Sequence, residues 1–119
     1  MGTEKDNVIL VKSFDFALQI IELYKSMKEQ HEYVLSKQLL RSGTSIGANV
    51  EEATAAISKR DFAHKMSISS KEARETRYWL RLIQHSKIVS VDVDGLLTRS
   101  EELIRILTSI VKTTQSNLK

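Results

Sequence analysis

No proline interrupts this chain, and glycine occurs four times. Turns must therefore be few, and helices can run long without the break a pyrrolidine ring imposes. Apolar residues recur at alternating steps of three and four, the spacing that lines them up on one helix face. Four helical segments are predicted, over about residues 8–28, 33–57, 59–86 and 92–114. In the first, Leu10, Phe14, Ala17, Ile21 and Tyr24 share a face, and Phe16, Ile20, Leu23 and Met27 widen the apolar arc beyond a simple stripe. The second carries Leu35, Leu39, Ser42, Ile46, Asn49, Ala53 and Ala56. The third opens at Ser58, an N-cap with Asp61 at N3, and carries Phe62, Met66, Ser69, Ala73, Thr76, Leu80 and Ile83. The fourth carries Leu96, Leu97, Leu103, Ile104, Leu107, Ile110 and Val111, and a tail from Gln115 is expected to fray.

An average step of 3.5 residues favours near-parallel, left-handed packing. Short connections make consecutive helices antiparallel. The expected fold is all-α, a single up-down-up-down four-helix bundle spanning residues 1–119. A chain of 119 residues fits one domain. With no cysteine, disulfides, thiolate nucleophiles and Cys-ligated zinc are excluded together. The opening residues lack the basic-then-apolar run of a secretory signal, and no apolar stretch approaches the ~20 residues of a bilayer span. A cytoplasmic location and no membrane partner are expected. A net charge of +3 and a pI near 9.2 permit nucleic acid without demanding it.

The third helix has two unlike flanks. At 100° per residue, Lys71, Arg74, Arg77, Arg81 and His85 gather on one side with Tyr78 among them. These six are the candidate nucleic-acid contacts, because clustered cations with an interleaved aromatic can neutralise phosphates and stack on bases. The plainer alternative is a solvated, salt-bridged helix face, with Glu72 and Glu75 as local partners that weaken the cationic field. Beyond Asp61, the other flank gathers Ile68, Glu72, Glu75 and Trp79, and the second helix similarly aligns Gln38, Arg41, Ser45, Asn49 and Glu52 along one edge of its seam. These nine residues are candidates for an oligomer interface or for packing, since aromatic anchors beside polar groups are enriched at interfaces. A protomer whose two sides differ can pair front to back and close into a ring. Gly43 and Gly47, one turn apart, mark close approach of another helix, from the same chain or from a second copy.

No catalytic constellation is present. His31, His64 and His85 are too scattered for one metal site, and Asp61 with His64 is a lone copy of a spacing that di-iron bundles use twice. Ser42-Gly43-Thr44-Ser45 lacks the lysine of a phosphate-binding loop. Neither an enzyme activity nor a cofactor or metal is expected.

Two runs carry a resemblance. Gln38-Leu39-Leu40-Arg41-Ser42-Gly43-Thr44-Ser45-Ile46-Gly47-Ala48-Asn49-Val50-Glu51-Glu52-Ala53 resembles the "QL-RS--SI-aNi-Ea" signature of the four helix bundle proteins, with Val50 at a position where isoleucine is commoner. Lys71-Glu72-Ala73-Arg74-Glu75-Thr76-Arg77-Tyr78-Trp79-Leu80 resembles that family's "kEa-Et-yWL". Its members are also called 23S rRNA-intervening sequence proteins, because some are encoded inside insertions in bacterial large-subunit rRNA genes. The resemblance covers about residues 8–114. It implies a bundle that forms a ring-shaped homopentamer, and a kinship with the accessory protein of diversity-generating retroelements, a basic pentameric barrel that binds nucleic acid and a reverse transcriptase. The partners so implied are copies of the chain itself, RNA or DNA, and a protein such as a polymerase. A protein-interaction scaffold with no nucleic-acid ligand is the competing expectation.

Overall fold

A computed structural model describes residues 3–118. Four helices follow one another: α1 (Glu4–Glu29), α2 (Leu35–Ala53), α3 (Lys59–Ser86) and α4 (Asp94–Asn117). Each packs against two neighbours, in the cyclic order α1, α2, α3, α4 and back to α1. The body measures 49 × 21 × 21 Å, which is the up-and-down bundle expected.

The helix ends differ from the sequence expectation for local reasons. α1 begins at Glu4 because Thr3 and Asp6 form a reciprocal capping box, the Asp6 N–H donating to Thr3 Oγ1 at 3.1 Å and the Thr3 N–H to Asp6 Oδ2 at 3.2 Å. α2 stops at Ala53 rather than Ile57, since Ser58 must be extended (φ −155°) to cap α3. Its hydroxyl accepts from the Asp61 N–H at 3.0 Å. α4 continues through Gln115, where fraying was expected, to Asn117.

The start of α2 lacks a cap from its own N-cap residue, Val34. Glu32 supplies one. Its buried carboxylate accepts from the N–H groups of Val34, Leu35 and Ser36 at 3.1, 3.0 and 2.8 Å. Burial alone pushes the Glu32 carboxyl up, but those three N–H groups and the Ser36 hydroxyl outweigh it and hold it below its ordinary value. His31, at φ 65°, is the left-handed residue that closes α1, with the Glu32 N–H returning to Met27 O at 2.9 Å.

The core follows the predicted rows closely in α3, where Phe62, Met66, Ser69, Ala73, Thr76, Leu80 and Ile83 are all buried. In α1 the order of importance is reversed. The row that enters the core is Ile9, Ser13, Phe16, Ile20, Leu23 and Met27, whereas Phe14 and Ile21 of the other row are exposed. The reason lies in α2. A Cβ at Gly43 would sit 2.8 Å from the Ile20 side chain, and one at Gly47 would sit 3.3 Å from Ser13 O. The two glycines therefore admit α1 of the same chain, on the Ser13–Ile20 face.

Hydroxyls line the α2–α3 seam. Thr76 Oγ1 lies 2.9 Å from Ser42 Oγ and 2.8 Å from Glu72 O, and Ser69 donates to Ile46 O at 2.8 Å. No described buried side-chain polar atom lacks a partner, so these small residues bring the helices together without the cost of about 1–3 kcal/mol per orphaned group.

Candidate nucleic-acid interface

α3 is held on both sides, by α2 and by α4, and the two contacts sort its charges. On the α2 side, Arg41 reaches across to Glu72 Oε2 at 3.2 Å and also pairs with Glu75. Trp79 Nε1 donates to Glu75 Oε2 at 2.9 Å, and Lys65 Nζ meets Glu52 Oε1 at 3.0 Å. Asn49 turns its amide back to Ser45 O at 2.9 Å. Ile68, Glu72, Glu75 and Trp79 are half-buried along this seam, as are Ser45 and Asn49, while Gln38, Arg41 and Glu52 are exposed at its edge. The nine residues singled out as interface or packing candidates thus line one seam, and those of their polar contacts described here are made within the chain. Trp79 packs against the core rather than standing clear of it.

On the α4 side the picture is different. Lys71, Arg74, Arg81 and His85 are exposed, Arg77 is half-buried, and Tyr78 stands on the outer crest with its ring edge-on to Trp79 at 5.3 Å between centroids. Arg74 Nη2 lies 3.5 Å from Thr108 Oγ1 of α4, a neutral partner. Among the described residues five ion pairs form, and none includes Lys71, Arg74, Arg77 or Arg81. Glu72 and Glu75, weighed as local partners for these cations under the plainer alternative, both pair with Arg41 instead. From Lys71 to His85 the arc runs about 21 Å at 1.5 Å per residue. That is roughly six phosphates along one strand.

α4 extends this surface in a way the sequence reading missed. Thr108 faces Arg74, so Arg105 and Lys112, three residues before and four after it, share its face of the helix. Both are exposed. The spacing was readable, but which face of α4 turns to α3 was not. Glu101, on the same row, is the nearby acidic residue and makes none of the five ion pairs.

The remaining polar candidates have structural duties or no company. Asp61 accepts from the Ile57 N–H at 3.4 Å, completing the cap of α3. His31, His64 and His85 are exposed at separate places, and among the described residues no group of three or more histidines and carboxylates could hold a metal ion. No described helix is long and apolar enough to cross a membrane.

Comparison with known proteins places this surface in a family context. The family model described as 23S rRNA-intervening sequence protein matches residues 5–109. The chain belongs to that family. A crystal structure of a protein of unknown function from the S23 ribosomal protein family of Bacteroides thetaiotaomicron is similar to it at 49% identity, with a TM-score of 0.84. That similarity covers 91% of this chain and 98% of the other. No curated protein matches the sequence. In this member of the 23S rRNA-intervening sequence proteins, the two motif runs lie in α2 and α3, and Arg41, Glu72, Glu75 and Trp79 from them form the partnered flank of α3. The basic arc lies on the other flank, and Tyr78 between the two.

Proposed function

We propose that this 23S rRNA-intervening sequence protein is a non-enzymatic, homo-oligomeric nucleic-acid-binding bundle, a ring of five copies by the family resemblance, that grips the phosphate backbone of RNA or DNA without reading bases. The observation that carries the proposal is the arc of Lys71, Arg74, Arg77 and Arg81, extended by Arg105 and Lys112 and free of carboxylate partners among the described residues. A solvated, salt-bridged face would have its cations matched by neighbouring carboxylates, as the α2 flank does. Repetition of the arc in an oligomer raises the effective concentration of phosphate contacts and turns a weak patch into a strong one.

Fluorescence anisotropy with RNA and DNA duplexes and single strands tests this. Sub-micromolar binding at ~50 mM salt that weakens by about 100-fold at ~200 mM is expected for four phosphate contacts. Absence of binding by well-folded protein at the lower salt would refute it and leave the protein-scaffold reading, in which a cytosolic protein such as a polymerase is the partner.

A further inference from the structure

Two of the chain's three tyrosines meet at the turn between α1 and α2. Tyr24 and Lys28 lie four residues apart near the end of α1, so they share one face of that helix. His31 then reverses the chain through its left-handed conformation, which brings Tyr33 and Lys37 back alongside. The two aromatic–cation pairs line one recess of about 320 Å³, floored by the buried Ser36.

The two rings are held differently. The Lys28 ammonium stands over the Tyr24 ring, 5.2 Å from its centroid, so that ring face is taken. Tyr33 is 49% exposed and is held at its edge. Its hydroxyl lies 3.1 Å from His31 Nδ1, with the imidazole tilted 59° to the phenol ring. Among the described residues neither a stacked ring nor a cation covers the Tyr33 face. The lysines are equally uncommitted: Lys28 and Lys37 are exposed and enter none of the five described ion pairs. Of the turn's two carboxylates, Glu32 is buried against the N–H groups of α2, and Glu29 does not line the recess. A bare phosphate would use the two ammonium groups but not the ring. An unpaired nucleotide uses both, with a base to stack and a phosphate to neutralise. A duplex keeps its bases stacked on one another and gives Tyr33 none.

We propose that the α1–α2 turn is a second nucleic-acid site, which takes an unpaired nucleotide with its base on the Tyr33 face and its phosphate between Lys28 and Lys37. The proposal rests on the nucleic-acid reading above and goes beyond it, because the arc holds phosphates of any strand whereas this site accepts only a single strand. The site lies on the opposite side of the bundle from the arc, since the α1–α2 and α3–α4 grooves face away from each other in the cyclic order of helices. At one end of the bundle the two sides are joined. Gln30 Nε2 donates to Ser90 O at 3.1 Å and the Ser90 N–H to Gln30 Oε1 at 2.7 Å, pinning this turn to the loop after α3. A strand that runs off the arc at His85 has the exposed Lys87 and His31 ahead of it at that end.

The test measures the anisotropy of a ~20-nucleotide oligothymidine and of a duplex of the same length at ~50 mM salt. The proteins compared are the wild type, Tyr33→Ala, Tyr33→Phe and Lys28→Ala/Lys37→Ala. Tyr33→Ala should weaken single-strand binding by about 10-fold, the loss of one stacked base, and leave the duplex unchanged. Tyr33→Phe keeps the ring and should bind as the wild type does. The lysine variant should weaken single-strand binding by about 10-fold at that salt and by less at ~200 mM. A wild type that binds neither probe would overturn the nucleic-acid reading and this site with it. A wild type that binds the duplex alone would overturn this site only. So would a variant, Tyr33→Ala or the lysine pair, that matches the wild type on the single strand, or a Tyr33→Ala equally weakened on both probes. Photocrosslinking of the wild type to an oligonucleotide carrying 5-bromouracil reads the same contact without any substitution. A crosslink mapped to Tyr33 by mass spectrometry is expected, and crosslinks confined to α3 and α4 would overturn the site.

Discussion

The two flanks of α3 carry similar numbers of charged residues, yet they end in opposite states. Facing α2, Arg41, Glu72, Glu75 and the Trp79 indole bond to one another across a half-buried seam. Facing α4, Arg74 finds the Thr108 hydroxyl, and Lys71, Arg74, Arg77 and Arg81 pair with none of the described carboxylates. One set of charges is part of the fold. The other is left over after folding, and positive charge left unpartnered on a surface is available to an outside polyanion. The difference follows from which neighbour each flank has: α2 offers an arginine opposite two glutamates, whereas α4 offers Thr108, Arg105 and Lys112.

The contrast predicts that substitutions on the two flanks separate stability from binding. The largest effect is expected from Arg74→Ala/Arg77→Ala/Arg81→Ala. Removing three phosphate contacts should weaken nucleic-acid binding by about 100-fold at low salt, with no fall in melting temperature, since no ion pair is lost. Thermal melts and anisotropy on the same preparation check both halves. A large drop in melting temperature would show that the arc is structural after all.

Next comes Glu32→Ala, which removes a charge as fully partnered as any in the chain. Loss of the carboxylate that accepts from three N–H groups at the start of α2 should cost about 1–3 kcal/mol in urea unfolding at pH 7, with binding unchanged in the folded protein. The pH dependence has a definite sign. Because the folded-state carboxyl lies below its ordinary 4.5, the stabilisation is complete above that value and is lost as pH falls through the lower folded one. The gap between wild type and variant should therefore close in acid and stay constant from pH 6 to 8. A gap that widens in acid would contradict the assignment.

Arg41→Ala should be milder. Its guanidinium is half exposed and its two pairs are worth about 1 kcal/mol together. Its second consequence sharpens the comparison, because Glu72 and Glu75 would then be unpartnered carboxylates next to the basic arc. A two- to threefold weakening of binding is expected, about 0.5 kcal/mol, and it should vanish at high salt. Tighter binding would mean that the two flanks do not sense each other as described.

Much of the bundle was legible from spacing alone. Every predicted core position of α3 is buried, because a helix packed on two sides repeats its apolar row with little ambiguity. α1 was less legible, as apolar residues cover more than one of its faces. Only the positions of Gly43 and Gly47 opposite Ser13 and Ile20 decide which row goes inside. The cap supplied by Glu32 had no signature, since it comes from two residues before Val34, the residue at the N-cap. At the candidate site the helical wheel gathered Lys71 to His85 on one arc. It could not say which carboxylates would be diverted to Arg41, nor that Arg105 and Lys112 would lie alongside. Both facts depend on how neighbouring helices are rotated, and a single helix's periodicity does not contain that.

The most direct test of the account is the slope of log K against log salt for nucleic-acid binding, measured for the wild type and the triple arginine variant side by side. If the unpartnered arc holds phosphates, the wild type should give a steep linear slope, and the variant a slope shallower by about two to three units on duplex DNA. Parallel slopes for the two proteins would contradict the claim that these arginines make the contact.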